Sequence, residues 1–256
     1  MTPSSSDDHD DDLDLPPSIA LAWGLRDAGS RGPRRALTLE QIAEAGIHVA
    51  VSEGVGALSM ARIAQELGVG TMSLYRYVAA KDELLLIMVD TALGAPPPAA
   101  PGEDWRAGLT RWAVGVRTGY QRHPWALRVP ISGPPLGPNN VAWLDNALAA
   151  LSGTPLTEQE KLSSVLLVSG FVRNEATLNA DFAAAAGGRQ LMPGYGRLLS
   201  RLTTAEQFPS LHEAIASGSL DDPDDPDAEF SFGLERILDG VAALMAAKRP
   251  RRSRRS

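Results

Sequence analysis

Residues 61–78, ARIAQELGVGTMSLYRYV, gather the side chains with the clearest chemical use. Thr71, Ser73, Tyr75 and Tyr77 offer hydroxyls, Arg76 a guanidinium and Met72 a methyl group. Hydroxyls bond base edges or phosphates, methyl-bearing groups meet thymine methyls, and arginine suits guanine or phosphate. Lys81 stands at the entry to a following helix, where an ammonium and free backbone N–H groups jointly hold a phosphate. Ser59, which caps the helix before, is counted with these DNA-facing residues. The plainer reading of the same stretch is a three-helix core with surface tyrosines.

The elements around the stretch must place it. Thr38 is a plausible N-cap with Gln41 as its capping-box partner. Behind it Leu39, Ile42, Ala43, Gly46, Ile47, Ala50 and Val51 repeat at the spacing of one buried helix face. Gly54 ends that helix. Ser59 opens the next, whose Met60, Ile63, Ala64 and Leu67 share a face, and Gly68 breaks it at a turn that calls for positive φ. A third short helix is expected over 71–77, and a fourth begins at AAKDELLLIMVDTALG. Helix, tight turn, helix is the arrangement that lays a second helix in the major groove.

The whole chain carries 31 acidic against 24 basic residues, a formal charge of -7. That balance does not oppose DNA binding, because the charge is segregated. An acidic leader (Asp7 to Asp14) and a second acidic run from Asp221 contrast with KRPRRSRRS at the end, where nine residues hold six bases. A reading head needs only local positive potential. Such charge blocks read as solvated, disordered segments. With no cysteine there is no disulfide and no thiolate metal site. The N-terminus has no signal-peptide pattern and no apolar run spans a bilayer, so a cytoplasmic protein without a membrane partner is expected. Alanine and leucine dominate and no strand-length alternation recurs, which makes the class all-α.

LTLEQIAEAGIHVAVSEGVGALSMARIAQELGVGTMSLYRYVAAKDELLLIMVD, about residues 37–90, resembles the N-terminal domain of the tetracycline-repressor (TetR) family of bacterial transcription regulators. The resemblance implies an all-helical homodimer, a reading helix near the N-terminus, and a larger C-terminal domain for dimerisation and a small-molecule effector. Carried over by position, Thr71, Ser73, Tyr75, Tyr77 and Lys81 match places that commonly touch DNA, whereas Met72 and Arg76 match more variable ones. The segment LAWGLRDAGSRGPRRALT is similar to the basic N-terminal extension of one branch of the family. It brings Arg34 and Arg35 toward the minor groove or adjacent phosphates, or else serves as a solvated linker.

After the turn-rich APPPAAPG most of the aromatics follow. Trp112, Trp125, Trp143 and Phe171, with Asn174 from the polar-interrupted GFVRNEATLN, are the candidate effector-pocket residues; aromatics at helical spacing are as readily plain core. A helix over about 157–186 and the last helix are apolar over wide arcs and resemble the family's dimer-forming pair. The expected organisation is a leader (1–17), an arm (18–36), a helix-turn-helix domain (37–83), an effector-binding and dimerisation domain (84–247) and a basic tail (248–256). No Walker, G-x-S-x-G or H-E-x-x-H pattern occurs and the four histidines are scattered, so neither an enzyme nor a cofactor or metal site is expected. The reading is therefore a dimeric regulator that binds a palindromic double-stranded operator and leaves it on binding an effector. The alternative is a helical ligand-binding or scaffold protein that no longer reads DNA.

Overall fold

A computed structural model describes residues 15–26, 37–186, 194–221 and 225–248. The described residues are helical with no strand. The acidic leader up to residue 14, Arg34, Arg35 and the tail beyond Lys248 lie outside them. Two compact units divide the chain: residues up to Gly94 with Ile131–Val141, and Ala95–Pro130 with Ala142 onward. The first unit thus runs past the boundary expected at residue 83 and takes in a stretch from the middle of the sequence.

In the first unit, α1 (Pro17–Ala22) precedes α2 (Leu39–Glu53), α3 (Met60–Leu67), α4 (Thr71–Leu74) and α5 (Lys81–Leu93). The N-terminus of α2 carries both halves of the capping box: Thr38 Oγ1 accepts from Gln41 N and Gln41 Oε1 accepts from Thr38 N, each at 3.1 Å. Of the face foreseen on α2, Ile42, Ala43, Gly46 and Ala50 are buried and Leu39 and Ile47 half-buried, and Val49, outside that set, is buried as well. Val51 departs from it: the residue is exposed, because the stripe drifts around the helix by the last turn. Gly46 explains how α5 comes so close to α2, since a Cβ there would stand 2.5 Å from Met88 Sδ. The first part of the expected arm forms α1. It buries Ile19 against Ala43 and Ile87, and the Ser18 hydroxyl donates to Glu83 at 2.8 Å.

The second unit contains α6 (Trp105–Arg122), a 3-10 turn (Pro124–Arg128), α8 (Glu158–Ala186), α9 (Tyr195–Leu202), α10 (Pro209–Ala216) and α11 (Pro226–Lys248); α7 (Pro138–Ala150) contributes its residues from Ala142 onward. Its core forms where α6 and α11 pack on α8, with Leu109, Trp112, Val116, Val168, Val172, Leu234 and Leu238 buried. Gly233 permits the closest approach, because a Cβ there would meet the Phe171 ring at 2.5 Å. Gly233→Ala is therefore expected to lower the thermal midpoint through overpacking of about 1–3 kcal/mol, measured by circular dichroism. The Gly- and Pro-containing stretch 194–221 holds two helices, α9 and α10.

Candidate functional site

Helix α3 opens on Ser59, whose hydroxyl accepts from Arg62 N at 3.1 Å. It closes on Gly68 at φ 64° and ψ 31°, a left-handed conformation that costs glycine little. Val69 N then donates back to Ala64 O at 2.9 Å, satisfying a carbonyl that the helix end leaves free. This sharp stop allows α4 to start at Thr71, and the helical turns continue through Tyr77 N and Val78 N, both donating to Leu74 O.

The short helix α4 is held by one side only. Leu74, Tyr77 and Val78 are buried, and Ile63 and Ala64 of α3 are buried in the same unit. The other side is free: Met72 is 79 % exposed, Tyr75 and Arg76 are exposed, and Thr71 and Ser73 are half-exposed. Lys81 is exposed on the first turn of α5. That N-terminus has no side-chain cap from Ala80, while Glu83 Oε2 accepts from Ala79 N at 3.3 Å.

Tyr77 departs from its expected role. At 4 % exposure its ring belongs to the core, because the helical period that sends Tyr75 outward brings the residue two positions later back toward Leu74 and Val78. Its residue type named a hydroxyl; its phase decides that the ring is structural. Since the helix rests on so few side chains, Leu74→Ala is expected to cost about 2–5 kcal/mol. DNA binding should then fail together with the fold of the first unit, which thermal unfolding and anisotropy measured side by side would reveal.

A polar network fixes α3 on α2. Arg62 bonds Glu53 at 2.6 Å and Glu66 at 2.9 Å, and His48 Nδ1 meets Glu66 at 2.9 Å. The Arg62 hydrogen bond holds the Glu53 carboxyl below its ordinary range. Bonds to Glu53 and Glu66 raise the guanidinium in turn. None of the charges in this network was singled out by the sequence pattern, since helix-surface charges look alike until the helices are packed.

In the second unit a cleft of about 210 Å³ opens between α6, the 3-10 turn and α8. Arg117, Tyr120, Glu175 and Asn179 supply its polar groups and Pro124 and Leu127 its apolar wall. Arg117 binds Glu175 with two nitrogens, at 3.2 and 3.1 Å, and Asp227 at 2.6 Å, while its guanidinium lies 4.5 Å from the Phe230 ring centre. Burial alone would lower its pKa, but the bonds to Asp227 and Glu175 outweigh burial and raise it. Arg173 reaches Tyr120 Oη at 3.3 Å and the carbonyls of Leu127 and Val129, which fastens the 3-10 turn to α8.

None of the five residues expected to form a pocket lines this cleft. Trp112, Trp125 and Trp143 are core: the first donates its indole N–H to the Trp143 carbonyl at 2.8 Å and their rings meet edge-on. Phe171 stacks on Phe230, with ring centres 5.7 Å apart. Asn174 is exposed. The polar interruption in α8 does mark the cleft, but through Glu175 and Asn179, which share a face that Asn174 leaves by one position. The missed signal is Arg117, a charge among Leu109, Trp112, Ala113 and Val116 on the buried face of α6.

His123, beside the cleft wall, has a lowered pKa because burial disfavours its charged form and Arg122 repels it. Its folded-state pKa lies below the unfolded value of 6.5, so its contribution to stability is complete above that value and is lost as pH falls through the folded pKa. The thermal midpoint should drop on acidification below 6.5, and His123→Gln should flatten that part of the profile. An unchanged profile would mean that other groups set it.

Comparisons with known proteins converge on one group. Residues 42–88 match the family model described as bacterial regulatory proteins, tetR family. Residues 97–245 match the model described as tetracyclin repressor-like, C-terminal domain. The HTH-type transcriptional repressor DrrR1 of Streptomyces coeruleorubidus is 37% identical over 250 residues, covering 92% of this chain and 88% of that protein. Among solved structures, apo ActR of Streptomyces coelicolor superposes with a TM-score of 0.72 at 28% identity, covering 84% of this chain and 99% of that one. ActR in complex with actinorhodin gives 0.71 at 29% identity over the same shares.

Proposed function

Because the chain belongs to the tetracycline-repressor family of bacterial transcription regulators, we propose that it acts in the cytoplasm as a dimeric repressor that an effector releases from a palindromic operator. It is a DNA-binding regulator and not an enzyme. The observation that carries the reading is the exposed face of the reading helix. Met72, Tyr75 and Arg76 are exposed and Thr71 and Ser73 partly exposed on an element whose other face is buried. Such a side has no structural duty within the subunit, whereas it holds the residue types that read bases.

Lys81, with the N-terminus of α5, supplies a phosphate clamp, and Arg34 and Arg35 supply further cations. Ser59 has its hydroxyl engaged as an N-cap and serves the interface by fixing α3. Dimerisation has its own support: Leu162, Leu166 and Leu167 on α8 and Phe232 and Leu244 on α11 are exposed apolar side chains that a second copy would cover. A two-fold pair of heads then reads two half-sites as one unit. The domain reading becomes a head of about 15–94 with 131–141, and an effector and dimer unit made of the rest.

The cleft at Arg117 is the effector site in this reading. ActR has been solved with actinorhodin and with (S)-DNPA, which makes those two compounds the first probes to titrate.

Selection of duplexes from a random library by the purified protein tests the reading, followed by anisotropy across a salt series. An enriched palindrome bound in the nanomolar range, with log affinity falling linearly with log salt, is expected. Lys81→Ala should reduce that slope by about one per subunit. Enrichment of no sequence would sink the repressor and leave the ligand-binding scaffold.

A further inference from the structure

The C-terminal end of α5, far along the helix from Lys81, buries a carboxylate that neither the DNA-facing surface nor the cleft uses. Asp90 is only 5 % exposed. Its Oδ1 accepts from Asn140 N at 2.8 Å and Asn140 Nδ2 at 2.7 Å, and its Oδ2 accepts from Asn139 N at 3.3 Å and Asn139 Nδ2 at 3.2 Å. Asn139 Nδ2 also reaches the Asp90 carbonyl at 3.1 Å. Both backbone donors lie in the first turn of α7, where N–H groups lack helical partners and a negative charge is favoured. Gly137 lets the carboxylate in: a Cβ there would stand 2.2 Å from Oδ1. Trp23 adds a second tie, its indole N–H donating to the Leu136 carbonyl at 2.8 Å.

These bonds explain why Ile131–Val141 belongs to the first compact unit although the chain on both sides of it belongs to the second. The segment carries almost no apolar weight there: residues 131–136 are exposed, Ile131 and Leu136 included. Charge-assisted hydrogen bonds to one buried carboxylate hold it instead. A joint of that kind has two discrete states, made or broken, because a buried carboxylate that loses its donors is costly.

We propose that Asp90 is the positioning residue through which the state of the effector unit reaches the reading head. Its carboxylate fastens the 131–141 segment to the same helix that presents Lys81 to DNA. The inference rests on the effector-gated reading above. Coupling is reciprocal, so DNA must alter the cleft's affinity for an effector by the same factor that an effector alters DNA affinity. An assay therefore needs no effector.

The test is hydrogen–deuterium exchange of the full-length protein, with and without the library-selected duplex. In the wild type, saturating duplex should change exchange in the cleft segments 117–127 and 175–180 on the order of fivefold or more. In Asp90→Ala that DNA-dependent change should vanish, while the Kd for the duplex stays within about tenfold of wild type. Asp90→Asn, which keeps the shape and one acceptor oxygen, should be intermediate. A purely structural Asp90 would alter thermal stability and basal exchange but leave the response to DNA intact.

Retention of the full response in Asp90→Ala would overturn the role of Asp90 and leave effector gating standing. No response in the wild type would overturn the gating itself, and this coupling with it. If Asp90→Ala does not fold, the double variant Asn139→Ala/Asn140→Ala removes the two side-chain donors and keeps the carboxylate. It must show the same loss; a wild-type response in it overturns the proposal.

Discussion

Replacing Thr71 and Tyr75 together by alanine is expected to lower affinity for the selected operator by about a hundredfold or more, with the thermal midpoint unchanged. The size follows from two contacts in each of two half-sites, each good contact contributing about 1–3 kcal/mol. The unchanged stability follows from placement. Thr71 is half-exposed on the first residue of α4 and Tyr75 is exposed one turn later, so neither supports the core that Leu74 and Val78 form. Binding to unrelated duplex should fall much less, because phosphate attraction from Lys81 and the other cations persists. Anisotropy with the selected and a scrambled duplex separates the two terms. Tyr77→Ala is the informative contrast. Its ring is buried, so that variant should lose stability first and all DNA binding as a consequence. If the double variant binds the operator as well as the wild type does, the exposed face of α4 is not what reads it.

How much of this was legible in the sequence follows from what each signal reports. The capping box at Thr38, the end of α2 at Gly54 and the left-handed turn at Gly68 are local features, fixed by residues next to one another, and all three are found in the structure. Exposure within α4 was only partly legible. Residue types suggested six DNA-facing side chains over 71–77, but helical phase buries Tyr77. The cleft in the second unit was least legible, since it depends on which faces of α6 and α8 meet the 3-10 turn. Aromatic size pointed to Trp112, Trp125 and Trp143, which became core because large apolar rings gain most by complete burial. Charges within apolar helices were the better guide, and Arg117 and Glu175 bear it out from opposite sides of the cleft. The segment 131–141 had no sequence signature of its partner at all, because Asp90 lies some fifty positions away.

Removing Arg117 should be among the most damaging single changes in the second unit. Its guanidinium is almost fully buried and serves three groups at once: Glu175, Asp227 and the Phe230 ring. Arg117→Ala leaves the Glu175 carboxylate, itself mostly buried, with only the Asn179 amide. Stranding one member of a buried pair costs about 3 kcal/mol or somewhat more. For a unit of this size, that lowers the thermal midpoint by roughly 6–12 °C. The Asp227 bond contributes little to that figure, since its side chain is 82 % exposed and water replaces the arginine. The charge pair and the packing it provides are separable. Glu175→Gln alone leaves Arg117 with Asp227, and should be milder than Arg117→Ala. Arg117→Met with Glu175→Gln strands no charge and keeps a long side chain over Phe230, so the double variant should recover most of the lost stability. A double variant as unstable as the sum of the single ones would mean that the guanidinium acts through Phe230 and not through Glu175. The same double variant keeps the apolar wall of Pro124 and Leu127 but has no ionised group on α6 or α8 facing it. Loss of probe binding in a folded Arg117→Met/Glu175→Gln protein would then assign recognition to the charges, and retained binding would assign it to the wall.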